Sequence, residues 1–524
     1  MTRHDATRDC ITLREPNTGS HTNMSVFSPI PLGRPIPNTP HAVSCSLPTM
    51  RAIRGYEEKD PAITEQLGSG YPRFVVHPYA RQLTEYLRAQ HNLTNQTLWL
   101  TTSEKMVQQL AAELTRAGTS STPFTADGIH GLSHADEAEA NATAKLYLQN
   151  VGGFISSREA EDRLVEFGEL PSATAETLFK GDALSEIRHN LQPLFAGTSP
   201  DDILIANCGM NAIAVAYYAL AERQAKNGRT IWIQLGWLYL DTISLLKRSA
   251  GTAEDYVHFP DVFDLKAIRQ LFAEKGDHVA GIIIEAPTNP LLQTPNLAAI
   301  AAVAHEHGAA LIIDPSISSP FAVDVLPYAD IVVASLTKYT ASEGDLMAGL
   351  VVVNPTLEDA ATLRDQIASR LEPVYPRDLA RLAQEIGETS AVLAQIHRSV
   401  AQIVDWLEAH PAVNQVLSAH HSSSRANYEK IARSPEMVGS MISFTLHGSL
   451  EEFYDRLPLP KGPSFGMKTT LVCPFIYLAH YNLVNSETGG AELAASGINP
   501  DLVRFSVGCE PAEDIIAALE EALA

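Results

Sequence analysis

From residue 200 onward, short runs of aliphatic and β-branched residues alternate with longer stretches of mixed polarity. The runs are "DILIAN", "TIWIQLG", "VAGIIIEAP", "AALIIDPS", "ADIVVAS" and "LVVVNP". A strand that is apolar at successive positions is buried on both faces, which is the habit of parallel sheets covered by helices on either side. The intervening stretches carry the helical period. In "NLAAIAAVAHEHG", Asn296 caps the start, Leu297, Ile300, Val303 and Ala304 share one face, and Gly308 ends the helix. The pattern therefore predicts an α/β domain with a mostly parallel sheet over residues 201–375. Residues 376–524 read as a smaller α+β C-terminal domain closed by the helix "PAEDIIAALEEALA". Upstream, residues 46–200 form an N-terminal segment whose part beyond about 84 is expected to be a largely helical insert. "ISSREAEDRL" supplies a cap at Ser156 or Ser157. Residues 1–45 include "FSPIPLGRPIPNTPHA", which cannot hold a helix and reads as an extended arm.

Composition narrows the function classes. With 61 acidic against 38 basic residues, a net charge of −23 argues against nucleic acid as the partner. Five cysteines, Cys10, Cys45, Cys208, Cys473 and Cys509, are scattered without a C-x-x-C pair, as expected of reduced thiols. The start "MTRHDATRDC" has no apolar leader core, and no apolar run is long enough for a membrane span. The expectation is a cytoplasmic protein without a membrane or nucleic-acid partner.

In open α/β sheets, ligands bind beyond the carboxyl ends of the strands. After "DILIAN", Gly209 and Met210 open a helix, where free N–H groups suit a phosphate or form an ordinary strand-to-helix turn. After "VAGIIIE" comes "APTNP" with Asn289, and after "AALII" comes Asp314, a carboxylate that also reads as a helix cap. After "IVVA", Ser335 and Thr337 precede Lys338, a lysine that alone reads as a surface charge. Together they match what pyridoxal 5′-phosphate (PLP) needs: a lysine for the Schiff base, a carboxylate for the pyridine nitrogen and donors for the phosphate. G-x-G-x-x-G, G-x-x-x-x-G-K-[ST] and H-E-x-x-H are absent from the sequence. His305 and His307, two apart on a helix, do not share a face, so no metal site is expected.

The stretch from "IIIEAPTNPLLQ" through "ALIIDPSISSPF" to "DIVVASLTKY" resembles the Cys/Met-metabolism PLP enzymes, the fold-type-I (aspartate aminotransferase-like) group of cystathionine γ-synthases, cystathionine lyases and O-acylhomoserine sulfhydrylases. The resemblance implies that Lys338 holds the cofactor and carries protons, and that Asp314 pairs with the ring nitrogen. It implies that Asn289 contacts the ring hydroxyl or substrate carboxylate, and that Gly209, Met210, Ser335 and Thr337 hold the phosphate. "YPR" resembles the family's Y-x-R, so Tyr71 and Arg73 are expected at the phosphate of a neighbouring subunit, in a homodimer or homotetramer with shared sites. "LVRFSVGCE" makes Arg504 the expected clamp for an amino-acid carboxylate, where a planar guanidinium is useful, with Ser464 of "PSFG" beside it.

Three departures stand against the common pattern. In "LGWLYLD", Leu235 falls where the family has its ring-stacking tyrosine, leaving Trp237 or Tyr239 to stack instead. The segment after Lys338 reads "ASEGD" rather than G-G-H-S-D, and the spacing between Arg73 and Gly209 is long. With "HAVSCSLPTMRAIRGYEE", these features are similar to the longer, fungal-type cystathionine γ-synthase-like subgroup. The expected reaction is γ-replacement on an O-acylhomoserine-type amino acid by a thiol such as cysteine. The alternatives are β- or γ-elimination and, of another class, a non-catalytic PLP-fold protein.

Overall fold

The computed structural model describes residues 26–71 and 74–524. Arg73, Cys10 and the first 25 residues of the expected arm lie outside the described residues. The described part of the arm is packed against the rest of the chain. β1 (Pro35–Ile36) pairs with β2 (Ser44–Cys45), and the Val43 amide donates to the Gly344 carbonyl at 2.9 Å. The helix Met50–Glu57, capped by Thr49, then buries Met50, Ala52 and Ile53 in the same core as the C-terminal domain.

The segment expected to be largely helical contains a sheet as well. β3 (Gln96–Thr101), β4 (Ser121–Ala126) and β5 (Ile129–Ala135) form an antiparallel sheet in the order β3-β5-β4. Helices Pro78–Gln90, Glu104–Arg116, Ala138–Val151 and Ser157–Glu166 accompany it. The strands are short, and Pro, Gly and His interrupt their apolar pattern. The legible signal was "DG" at 127–128. Asp127 (φ 49°) and Gly128 (φ 76°) form the two-residue hairpin loop that joins β4 to β5.

The large sheet follows the predicted runs. β6 (Ile203–Ala206), β7 (Ile231–Leu235), β8 (Tyr256–Phe259), β9 (Val279–Glu285), β10 (Ala310–Asp314), β11 (Ile331–Ser335) and β12 (Gly349–Val353) lie in the order β6-β12-β11-β10-β9-β7-β8. β12 runs antiparallel to both neighbours, and the other ladders are parallel. Successive side chains feed opposite faces. Ile282, Ile284, Leu311, Ile313 and Val332 enter one core, while Ile283, Ile312, Ile331 and Val333 enter the other. The helix Leu297–Glu306 has the expected cap, with Asn296 Oδ1 accepting from the Ala299 amide at 3.2 Å.

β13 (Val413–Leu417), β14 (Met441–Leu446), β15 (Leu471–Pro474) and β16 (Val503–Ser506) form an antiparallel sheet ordered β13-β14-β16-β15. The helices Thr389–Ala409 and Ala512–Leu523 complete its core. Among the described residues, no helix is long and apolar enough to cross a membrane, and no cluster of side chains could hold a metal ion.

Candidate active site

The parallel arrangement brings the carboxyl ends of β6, β9, β10 and β11 to one edge of the sheet, around a cavity of about 540 Å³. Gly209, Met210, Asn289, Asp314, Ser335, Lys338, Tyr71, Ser464 and Arg504 all line it. Residues separated by up to 433 positions in sequence thus converge where the sheet topology places ligands.

Lys338 follows β11 and is buried, 7% exposed. Its Nζ donates to Ser464 Oγ at 2.6 Å and stands 4.6 Å above the Tyr71 ring and 4.9 Å from the Phe465 ring centre. Ser464 has φ 82°, a left-handed conformation uncommon for a residue with a Cβ. Its hydroxyl faces Lys338, while its carbonyl accepts from Arg504 Nη2 at 3.1 Å. Arg504, on β16, lies between Phe475 at 4.4 Å and Phe465 at 5.5 Å. Its Nη1 donates weakly to Asn289 Oδ1 at 3.5 Å. Two aromatic faces hold the guanidinium plane in a buried position, with the geometry to grip a carboxylate.

Asp314 ends β10, and its Oδ1 accepts from the Ser316 amide at 2.8 Å. Burial pushes its carboxyl up to about 6. Its register partner on β9 is Glu285, which also lines the cavity and accepts from the Tyr239 amide at 2.5 Å. Burial and then the Asp314 charge raise Glu285 well above the usual carboxylate range. Reading from sequence missed Glu285. Its place at the end of "VAGIIIE" was the available signal, since it occupies on β9 the position that Asp314 occupies on β10.

Also in the lining, Gly209 and Met210 start the 17-residue helix Gly209–Ala225, so their amides have no intrahelical acceptor. Ser335 Oγ is buried without a hydrogen-bond partner. A Cβ on Gly209 would come 2.9 Å from the Ser335 Cβ, so only glycine permits this close approach. A helix N-terminus beside an unsatisfied hydroxyl suits a phosphate, and a buried acid lining the same cavity suits a protonated ring nitrogen. The residues fit PLP.

Two of the expected site residues lie outside the cavity lining. Thr337 is fully buried outside the cavity lining, where its hydroxyl accepts from the Ala348 amide at 3.1 Å. Trp237 belongs to a separate cluster, its Nε1 donating to His480 Nε2 at 3.1 Å. Tyr239, two residues on, lines the cavity instead. Leu235 is buried in the core on one face of the large sheet. Tyr71, expected at a neighbouring subunit's phosphate, lies over Lys338 of its own chain, where its ring face meets the ammonium. "ASEGD" is a junction: Asp345 pairs with Arg158 and Arg381, tying the loop after Lys338 to the insert and to the helix Pro376–Ile386.

The parallel sheet and the lysine, acid and phosphate cup at its strand ends define a fold-type-I PLP-dependent enzyme. Residues 188–524 match the Cys/Met metabolism PLP-dependent enzyme model, and the chain belongs to that family. It is 37% identical, over 93% of its length and 97% of the relative's, to an L-2-amino-4-chloropent-4-enoate dechlorinase/desaturase of Streptantibioticus cattleyicolor. It is 26% identical, over 94% of its length and 98% of the relative's, to the cystathionine gamma-synthase of Neurospora crassa, which places it with the longer fungal-type subgroup. Among solved structures, it is similar to a cystathionine gamma synthase from Xanthomonas oryzae pv. oryzae. The TM-score is 0.54 at 24% identity, covering 66% of this chain and 86% of the other. A methionine gamma lyase from Micromonospora echinospora is similar at 0.54 and 23%, covering 66% and 87%. These two likenesses bear on the fold alone.

Proposed function

We propose that the protein catalyses PLP-dependent γ-elimination, releasing chloride from a short unsaturated amino acid. The observation that carries this reading is the apolar part of the cavity lining that also holds Arg504, where Phe74, Leu146, Leu478 and Ala479 suit an apolar chloroalkenyl side chain. The 37% identity to a dechlorinase/desaturase across 93% of the chain supports it. Bound PLP supplies an electron sink conjugated to the substrate Cα. Arg504, braced by Phe465 and Phe475, holds the substrate carboxylate and so fixes which Cα bond faces Lys338. Lys338 takes the Cα proton and then a Cβ proton, with the Ser464 hydroxyl 2.6 Å from Nζ orienting it between the two. The C–Cl bond breaks at Cγ, and its electron pair leaves with chloride. The Cβ–H electron pair becomes a new Cβ–Cγ π bond, and the proton first taken from Cα returns there from Lys338. The net loss is therefore one proton and one chloride, adding a degree of unsaturation without an oxidant.

The γ-replacement reading is favoured by the 26% identity to a cystathionine gamma-synthase. One experiment separates the two. Purified holoenzyme is given L-2-amino-4-chloropent-4-enoate, and separately O-acetyl- or O-succinylhomoserine with cysteine. Chloride release from the first, without thioether from the second, supports elimination. Thioether formation with no chloride release replaces it with γ-replacement.

A further inference from the structure

The helix Ala138–Val151 lies outside the span that matches the family, yet it builds one wall of the active-site cavity. Ala142, Lys145, Leu146 and Gln149 line that wall at spacing i, i+3, i+4 and i+7, a single helical face. Across the mouth stand Tyr56, Glu57 and Lys59, from the helix Met50–Glu57 and the turn after it. The two lysines differ. Lys59 Nζ donates to the Tyr56 carbonyl at 3.0 Å and lies 4.7 Å over its ring, so it is engaged. The half-buried Lys145 takes part in no side-chain hydrogen bond or ion pair with another described residue. Burial, and then the Lys59 charge, lower its pKa, while the Glu57 charge opposes them. Glu57, the nearby acid, is itself raised by burial and also makes no ion pair. Lys145 shares the cavity lining with Leu146, Leu478 and Ala479, and a partly buried ammonium beside apolar walls attracts an anion more strongly than one in water, because such walls screen poorly.

We infer that Lys145 is an anion receptor for the γ-substituent of the substrate: the insert wall binds a small monoanion. The identity of that anion as the departing chloride rests on the elimination reading above. When the Cγ–Cl bond breaks, the electron pair goes to chloride, which the ammonium receives, while the Cβ proton goes to Lys338. A receptor at this place also distinguishes substituents, because neutral apolar groups gain nothing from the ammonium.

The test uses holoenzyme and norvaline, a saturated five-carbon amino acid with no leaving group, followed by the shift in the cofactor's visible absorption. Norvaline affinity is measured against added chloride, bromide or acetate at fixed ionic strength, for the wild type, Lys145→Met and Lys145→Arg. Saturable halide dependence in the wild type is expected, weakened about 10-fold or more in Lys145→Met and retained in Lys145→Arg. Halide dependence that is identical in Lys145→Met, or absent from the wild type along with any acetate effect, overturns the receptor. Dependence on acetate but not halide, lost in Lys145→Met, keeps the receptor and overturns its assignment to chloride. The titration needs no turnover, so it stands or falls separately from the chloride-release assay.

Discussion

Two buried groups of carboxyls sit within one chain and are handled in opposite ways. At the junction of the insert with the large domain, Glu161, Glu176, Asp345 and Asp378 surround Arg158, Arg377 and Arg381. Burial pushes Glu161 up, but hydrogen bonds from Thr174 and Arg377 outweigh it and hold the carboxyl at about 2. Burial likewise raises Glu176, and its bonds to Arg158 bring it below the usual range. Asp378, more enclosed, stays raised even beside Arg158. In the cavity, Glu285 and Asp314 face each other with no ion pair among the described residues, and both are raised. At the junction, hydrogen bonds and arginines outweigh burial for Glu161 and Glu176, whereas in the cavity burial wins for both acids. That contrast separates a site built for structure from one built to receive a cation such as a protonated pyridine ring.

The largest expected effect breaks the cavity side of the comparison. Lys338→Ala should lose activity by about 10⁴-fold or more, since it removes both the covalent anchor and the proton carrier. The visible absorption of the bound cofactor should change with it, while thermal unfolding stays close to that of the wild type. Turnover that survives in the variant would remove Lys338 from the chemistry.

At the junction the expected effect is on stability. Arg158→Met leaves Glu176, Asp345 and Asp378 without the guanidinium they share. Breaking buried pairs from one side costs about 3–5 kcal/mol, to be measured as a shift in the urea transition. The folded fraction should still bind PLP normally. An unchanged transition would show that the network does not stabilise the fold.

The pH dependence of stability should have opposite slopes in the two regions. Glu161 is depressed, so its contribution is complete above its unfolded pKa near 4.5 and is lost as pH falls towards 2. Asp314 is raised, so between the unfolded value of 3.8 and about 6 the folded apo-protein binds more protons than the unfolded chain. Its stabilising effect is therefore present below that window and is lost as pH rises through it, by roughly 1–3 kcal/mol. Thermal unfolding of apo-protein from pH 4.5 to 7 should show this decline, and Asp314→Asn should flatten it. If the variant keeps the full slope, another group is responsible.

The strand ends were legible because continuous apolar runs mark buried parallel strands, and the residue after each run is placed by topology alone. Asp314, Ser335 and Lys338 were readable in that way. Glu285 obeyed the same rule but was absorbed into the end of its strand. Tyr239 and Trp237 could not be separated from sequence, since extended-chain alternation puts positions two apart on one side. The chain turns at Gly236, with φ 76°, and the helix starts at Leu240, so the alternation does not hold there. The walls from Lys145 and Phe475 depend on how distant helices dock, which no local pattern encodes. The insert sheet was hidden because its strands lack a sustained apolar alternation.

The smallest expected effect separates two hydroxyls that the sequence treats alike. Ser335 and Thr337 both precede Lys338 within three residues, but Ser335 Oγ has no hydrogen-bond partner beside Gly209, while Thr337 Oγ1 accepts from the Ala348 amide. A hydrogen bond to a charged acceptor is worth about 1.5–3 kcal/mol, so Ser335→Ala should weaken PLP binding by about 10-fold or more. Removing the unsatisfied hydroxyl should leave apo stability unchanged or slightly higher. Thr337→Val keeps the side-chain shape and loses only a neutral bond, so it should cost about 1 kcal/mol of stability and leave PLP affinity almost unchanged. Equilibrium titration of both apo-variants with PLP, alongside their unfolding transitions, gives the four numbers needed. Equal loss of affinity in both would mean that Thr337 turns toward the phosphate when the cofactor binds. The boundary between the receptive cavity and the self-satisfied core would then lie one strand turn further in.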